Sequence, residues 1–216
     1  MPLDRRALAA VLTAVSLVTL DSSMTNTALP AIAASLQTQP APAIWVVNAY
    51  QLAVVAALLP FAALADRLGA RRVHLLGLSF FVAASLASAL AWSLPTLALG
   101  RALQGLGAAA TMSVNAAMVR LIYPRAQLGR GMGINSMVVA FSVMAGPTVA
   151  AAILSVASWP WLYALNLPLG LLAFAMGWVS LPRTAPRAST FDVGTALVTA
   201  LTFACALGAL ATGVVT

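Results

Sequence analysis

The sequence predicts an all-α membrane protein, a six-helix bundle with one further transmembrane helix after it. Three observations carry that expectation. Of the 216 residues, 62% are hydrophobic and only 7% are charged, whereas a soluble domain carries roughly a quarter charged residues. Mean hydropathy is +0.99, and apolar runs of about twenty residues, the length that crosses a bilayer as a helix, recur from end to end. The charges fall almost entirely between these runs. The net charge of +7 comes from eleven arginines and four aspartates. Those arginines are scattered rather than clustered on one soluble face, which argues against nucleic acid as a partner. The single cysteine, Cys205, allows no internal disulfide and reads as a small apolar helix residue.

Seven spans follow in order: residues 7–29, 45–65, 73–92, 97–119, 131–155, 161–179 and 193–215. Arg5 and Arg6 precede the first, as in a signal peptide, but the apolar run outlasts a signal core and is read as a membrane span. Arg67, Arg71 and Arg72 follow the second span, Arg120, Arg125 and Arg130 the fourth, and Arg183 and Arg187 the sixth. The connections after spans one, three and five carry no charge. Basic and neutral loops therefore alternate, and the positive-inside rule places the N-terminus and every basic loop in the cytoplasm. Trp45, Trp92, Trp159 and Trp161 fall at the neutral ends, where interfacial anchors are expected. The expected organisation is a six-span unit over 1–181, a cytoplasmic linker over 182–192 and an additional span over 193–216. The arginine-only, alanine-rich usage suggests a bacterial inner membrane as the home.

Two charges remain inside the apolar runs. Asp21 lies about 21 Å along an outward-running first span, and Arg101 lies about 9 Å below the outer edge of an inward-running fourth span, at 1.5 Å per residue in a core about 30 Å thick. The two groups are expected at similar depth. An isolated charge there costs at least ~2.5 kcal/mol, so each should face a partner or a water-filled cavity. Ser22, Thr25 and Asn26 are expected to extend Asp21 into a polar stripe. One reading makes the pair a glue between spans one and four; the other places it in a substrate or proton path. His74 is expected to be interfacial, and Met24, Met112 and Met144 are read as packing residues. No His, Cys or carboxylate cluster has metal spacing and no nucleophile stands beside a base, so neither a metal, nor a cofactor, nor enzymatic chemistry is expected.

Several stretches resemble the major facilitator superfamily. "ALADRLGARRVHLLG", from Ala63 to Gly77, is similar to its G-x-L-A-D-R-x-G-R-R signature through Asp66, Arg67, Gly69, Arg71 and Arg72, with Ala62 where the family has a first glycine. "LGRALQGLGAAA" resembles R-x-x-Q-G-x-G through Arg101, Gln104, Gly105 and Gly107. "AGPTVAAAI" is similar to the antiporter motif G-P-x-x-G-G through Gly146 and Pro147, with Ala150 and Ala151 replacing its last glycines. "TLDSSMTNTALP" looks like L-D-x-T-x-V-N-x-A-L-P through Leu20, Asp21, Asn26, Ala28, Leu29 and Pro30, Ser23 keeping the hydroxyl of the threonine. "WPWLYALNLPLG" resembles W-R-W-x-F-x-x-N-x-P-x-G through Trp159, Trp161, Asn166, Pro168 and Gly170.

The last two motifs point to the multidrug and proton antiporters with fourteen spans, in which an extra span joins two six-span halves. The resemblance implies a secondary transporter working by alternating access, with protons and a small organic substrate as partners and a C-terminal half still to be supplied. It implies Asp21, Asn26, Arg101 and Gln104 in the proton or substrate path. Asp66, Arg67, Gly69, Arg71, Arg72, Gly146 and Pro147 become conformational elements. The alternatives are a non-transporting membrane subunit that self-associates or pairs with another half and, with no candidate catalytic set, an intramembrane enzyme.

Overall fold

The computed structural model describes residues 4–182. Almost all of the expected linker, the whole seventh span and Cys205 lie outside these described residues. Within them the chain forms nine α-helices: α1 (Arg5–Ser35), α2 (Pro40–Ala43), α3 (Trp45–Leu68), α4 (Ala70–Ala89), α5 (Leu94–Ser113), α6 (Asn115–Ile122), α7 (Leu128–Val156), α8 (Pro160–Ala164) and α9 (Asn166–Ser180). Short helices continue into long ones, so the membrane sees six candidate spans among the described residues: Arg5–Ser35, Pro40–Leu68, Ala70–Ala89, Leu94–Ile122, Arg125–Val156 and Pro160–Ser180.

Each span overlaps its expected position, and most run longer. Asp4 extends the first at its start, because its carboxylate accepts the Arg6 and Ala7 backbone N–H groups at 3.0 and 3.2 Å and so caps two orphan donors. Pro30 does not end that helix, which runs on to Ser35. The fourth span starts with a capping box between Ser93 and Thr96. A single residue, Gly69, separates α3 from α4, with φ at 87°, a value that favours glycine.

The interior is layered along the spans. Near the basic loops, Ala7, Val11, Leu75, Met118, Val119 and Ile122 pack together. The middle layer joins Ala14, Leu17, Val18, Tyr50, Leu78 and Phe81, and the layer near the neutral loops joins Met24, Ile32, Val46, Leu97, Leu162 and Tyr163. Helix α5 is the hub, because small residues let its neighbours approach closely in the absence of a strong hydrophobic drive between helices in lipid. A Cβ on Gly107 would stand 2.7 Å from the Phe81 Cα, and one on Gly105 would stand 2.5 Å from the Tyr50 carbonyl oxygen.

Burial is uneven. Half or more of the most apolar stretch is buried in α1, α4 and the fourth span, but only 17% in the second span and in α7. Met137, Phe141 and Met144 stand exposed along α7. Met144 is therefore not a packing residue within the described residues, whereas Met24, at 1% exposure, is. Trp159 departs from its expected role as a lipid anchor: it is buried and donates its indole N–H to Ser35 Oγ at 3.0 Å, pinning α8 to the end of α1. His74 is likewise fully buried rather than interfacial, since α4 begins at Ala70 and already turns its inner face at that position.

Candidate functional site

The local sequence brings an acid and a base to one point. Arg101 and Gln104 sit at i and i+3 on α5, hence on one face, and that face meets α1 at Asp21. The Arg101 Nη1 donates to Asp21 Oδ2 at 2.6 Å, and both side chains are 1% exposed. Two amides complete the carboxylate: Gln104 Nε2 donates to Asp21 Oδ1 at 2.9 Å, and Asn166 Nδ2 of α9 donates to the same oxygen at 2.5 Å. Gln104 also receives Arg101 Nη1 on its Oε1 at 2.7 Å and donates to Ser85 Oγ of α4 at 2.8 Å, so its amide orientation is fixed from both ends. The Ser85 hydroxyl in turn donates a hydrogen bond to the Phe81 carbonyl at 2.8 Å.

Arg101 is enclosed by aromatics. Its guanidinium lies 4.2 Å from the Tyr50 ring centroid and 5.5 Å from that of Tyr163, and its Nε donates to the Val46 carbonyl at 3.4 Å. Four long helices, α1, α3, α4 and α5, and the α8–α9 segment therefore converge on one ion pair. The arrangement holds a negative and a positive charge, each satisfied, in an otherwise apolar interior.

Sequence reasoning placed Asp21, Arg101 and Gln104 among the site residues, and the structure brings these three together. It places Asn26 elsewhere. Five residues along a helix turn the side chain by about 140°, so Asn26 aligns with Ser22, whose carbonyl it bonds at 3.1 Å, rather than with Asp21. Only Thr25 of the expected stripe shares the buried face with Asp21. Asn26 instead lines an open cleft of about 220 Å³ with Ser22, Ser23, Tyr50, Gln51 and Met112. Tyr50 belongs to both places: it lines the cleft and covers Arg101. Tyr50, Ser85, Asn166 and Tyr163 are absent from the sequence-based site. Asn166 alone carried a signal, as a residue of the stretch that resembles W-R-W-x-F-x-x-N-x-P-x-G.

The other motif residues occupy two places. Asp66 and Arg67 are exposed at the end of α3, and Arg71 reaches α9, donating to the Trp178 carbonyl and lying 5.6 Å from the Trp178 ring centroid. Gly146 and Pro147 lie within α7, which continues through both. Pro147 has no N–H to give the carbonyl four residues earlier, that of Val143. Ser23 of α1 supplies the missing donor at 2.7 Å. A side chain on Gly146 would collide with Ser23, so the glycine allows the approach that makes this bond.

Comparison with known proteins agrees with this architecture. The family model of the Major Facilitator Superfamily matches residues 11–216. The transporter YebQ of Escherichia coli (strain K12) is 50% identical over 214 residues, covering 97% of this chain and 47% of that protein. The methylenomycin A resistance protein of Streptomyces coelicolor (strain ATCC BAA-471 / A3(2) / M145) is 36% identical over 185 residues, covering 85% of this chain and 39% of that protein. The crystal structure of the peptide transporter POT in complex with sulfate superposes with a TM-score of 0.75 over 97% of this chain and 45% of that one, at 16% identity. The chain thus spans about half the length of the relatives it matches. It is a multi-pass membrane protein and belongs to the Major Facilitator Superfamily.

Proposed function

We propose that this chain forms the N-terminal six-span half of a proton-coupled exporter of small amphiphilic molecules. In this reading the half works by alternating access against a second half and sits in a bacterial inner membrane with its basic loops in the cytoplasm. The observation that carries the reading is the sealed Asp21–Arg101 pair beside an open cleft that hydroxyls and amides line in part. A carboxylate held by three donors at mid-span is a group that can exchange a proton when those donors shift. Tyr50 touches both the pair and the cleft, so a substrate seated against its ring presses the donors onto Asp21 and favours release of the proton that the carboxyl carries when they stand apart. The shallow burial of α3 and α7 supports a second half seated on those helices. The resistance protein among the relatives supports an organic molecule as the substrate, and the substrate face of this half offers hydroxyls, amides and methionine with no exposed charge.

The test is transport by this chain co-expressed with a C-terminal six-span half, in inverted membrane vesicles, with ethidium as the amphiphilic probe. The proposal predicts uptake that needs both halves and collapses when the pH gradient is dissipated. Stable self-association of this chain, with no transport under any pairing, would favour the non-transporting subunit instead. Orientation is tested with Cys205 replaced by Ser. A cysteine at Gln39 should react with a membrane-impermeant maleimide applied to whole cells, and one at Arg125 should not.

A further inference from the structure

We propose that the groove between α3 and α4 binds one anionic phospholipid, its acyl chain along the groove and its headgroup at Arg72. Helices α3 and α4 meet at Gly69, and both pack closely on α5 but only slightly on each other. The wedge between them is an apolar groove of about 610 Å³. Phe61 and Leu64 form one wall, Leu76 and Phe80 the other, and Leu106 and Gly107 of α5 form the floor. Gly77 and Gly107 deepen it: a Cβ on Gly77 would lie 2.6 Å from that of Ala110, so any larger residue would lift α4 away from α5.

Length, polarity and charge together select the occupant. From Arg72 to Ala83, the far lining residue on α4, the helix rises about 16 Å, close to half of a ~30 Å hydrocarbon core. The groove is thus one leaflet deep and begins at the membrane edge. Successive residues turn by about 100°, which puts Arg72 within about 40° of Leu76 and 20° of Ala83, on the face that lines the groove. Helical side chains lean toward the helix start, so the guanidinium extends from the mouth of the groove toward the headgroup level. Arg72 is exposed, and no hydrogen bond, ion pair or ring contact within the described residues engages its side chain. Arg71 differs, being committed to Trp178. An apolar groove one leaflet deep with an unengaged arginine at its mouth suits a fatty chain that carries a phosphate. The assignment to the inner leaflet rests on the orientation proposed above; the assignment to a phospholipid does not.

The test is native mass spectrometry of the full chain in detergent, titrated separately with dioleoyl phosphatidylglycerol and dioleoyl phosphatidylcholine. Wild type should retain phosphatidylglycerol preferentially. Arg72→Gln should lower that retention about fivefold, the ~1 kcal/mol of one arginine near an anionic headgroup converted at RT of 0.59 kcal/mol, and Arg72→Lys should restore most of it. Ala83→Phe fills the groove from an exposed position and should reduce retention of both lipids. Equal retention of the two lipids by wild type would overturn the proposal, as would unchanged phosphatidylglycerol binding in Arg72→Gln or in Ala83→Phe. Displacement of the bound phosphatidylglycerol by a co-purified second half would assign the groove to that half and overturn it too.

Discussion

Replacing Arg101 by Met leaves Asp21 without its ionic partner, 1% exposed and held by only two amides. Breaking one side of a buried pair costs about 3–5 kcal/mol because a charge remains without its partner. Asp21→Asn does the converse to the guanidinium. If the two groups acted independently, the double variant Asp21→Asn/Arg101→Met would cost the sum, about 6–10 kcal/mol. The structure predicts much less, because the double variant contains neither unpaired charge and the new amide oxygen at position 21 still accepts from Gln104 or Asn166. Its cost should resemble that of one single change, leaving a coupling energy of about 3 kcal/mol or more. Loss of the Tyr50 and Tyr163 ring contacts, ~0.5–2 kcal/mol each, occurs in both variants that lack Arg101 and cancels from the cycle. The assay is reversible unfolding in mixed micelles with rising dodecyl sulfate, followed by tryptophan fluorescence. Additivity within about 0.5 kcal/mol would mean that Asp21 and Arg101 are not energetically coupled, since residues without contact add to that accuracy.

Further expectations follow from single close contacts. Gly107→Leu drives a side chain into the Phe81 backbone, which cannot swing aside, and should cost about 1–3 kcal/mol or more. Gly133→Ala, with nothing within 4 Å, should instead stabilise α7 by up to ~1 kcal/mol in the same unfolding assay. Ser23→Ala removes the donor to the Val143 carbonyl and should cost about 1 kcal/mol in wild type, but almost nothing beside Pro147→Ala, where α7 regains its own N–H. An equal cost of Ser23→Ala in both backgrounds would show that the bond does not substitute for the missing backbone donor.

The six spans within the described residues were legible because a helix in lipid must satisfy its backbone internally, so length and apolarity announce it without tertiary information. The meeting of Asp21 and Arg101 was legible for a related reason. The bilayer supplies a fixed axis, and counting residues along two antiparallel helices gives two depths. Rotation about the helix axis was less accessible: Asn26 was grouped with Asp21 although their directions differ by about 140°, and only Thr25 is aligned with it. His74 and Trp159 differ from expectation because a position near a span end reads as interfacial, whereas burial there depends on which neighbour covers it. Tyr50, Ser85 and Tyr163 left no trace, since a lone hydroxyl in an apolar run reads the same facing lipid or an arginine. The Ser23–Val143 bond joins two motifs recognised separately; nothing in either stretch says that the hydroxyl of one serves the proline of the other.

Asp21 is proposed to hold a proton while its three donors stand apart and to release it when substrate binding draws them together. The measurement is ethidium-induced proton release from a detergent-solubilised transporter joining this chain to a C-terminal half, in weakly buffered solution with a pH dye. Wild type should release protons on addition of ethidium, and folded Asp21→Asn, matched for amount and for its size-exclusion profile, should release none while still binding the probe. Undiminished release by Asp21→Asn would contradict the account and leave the Asp21–Arg101 pair as the joint that holds α1 to α5.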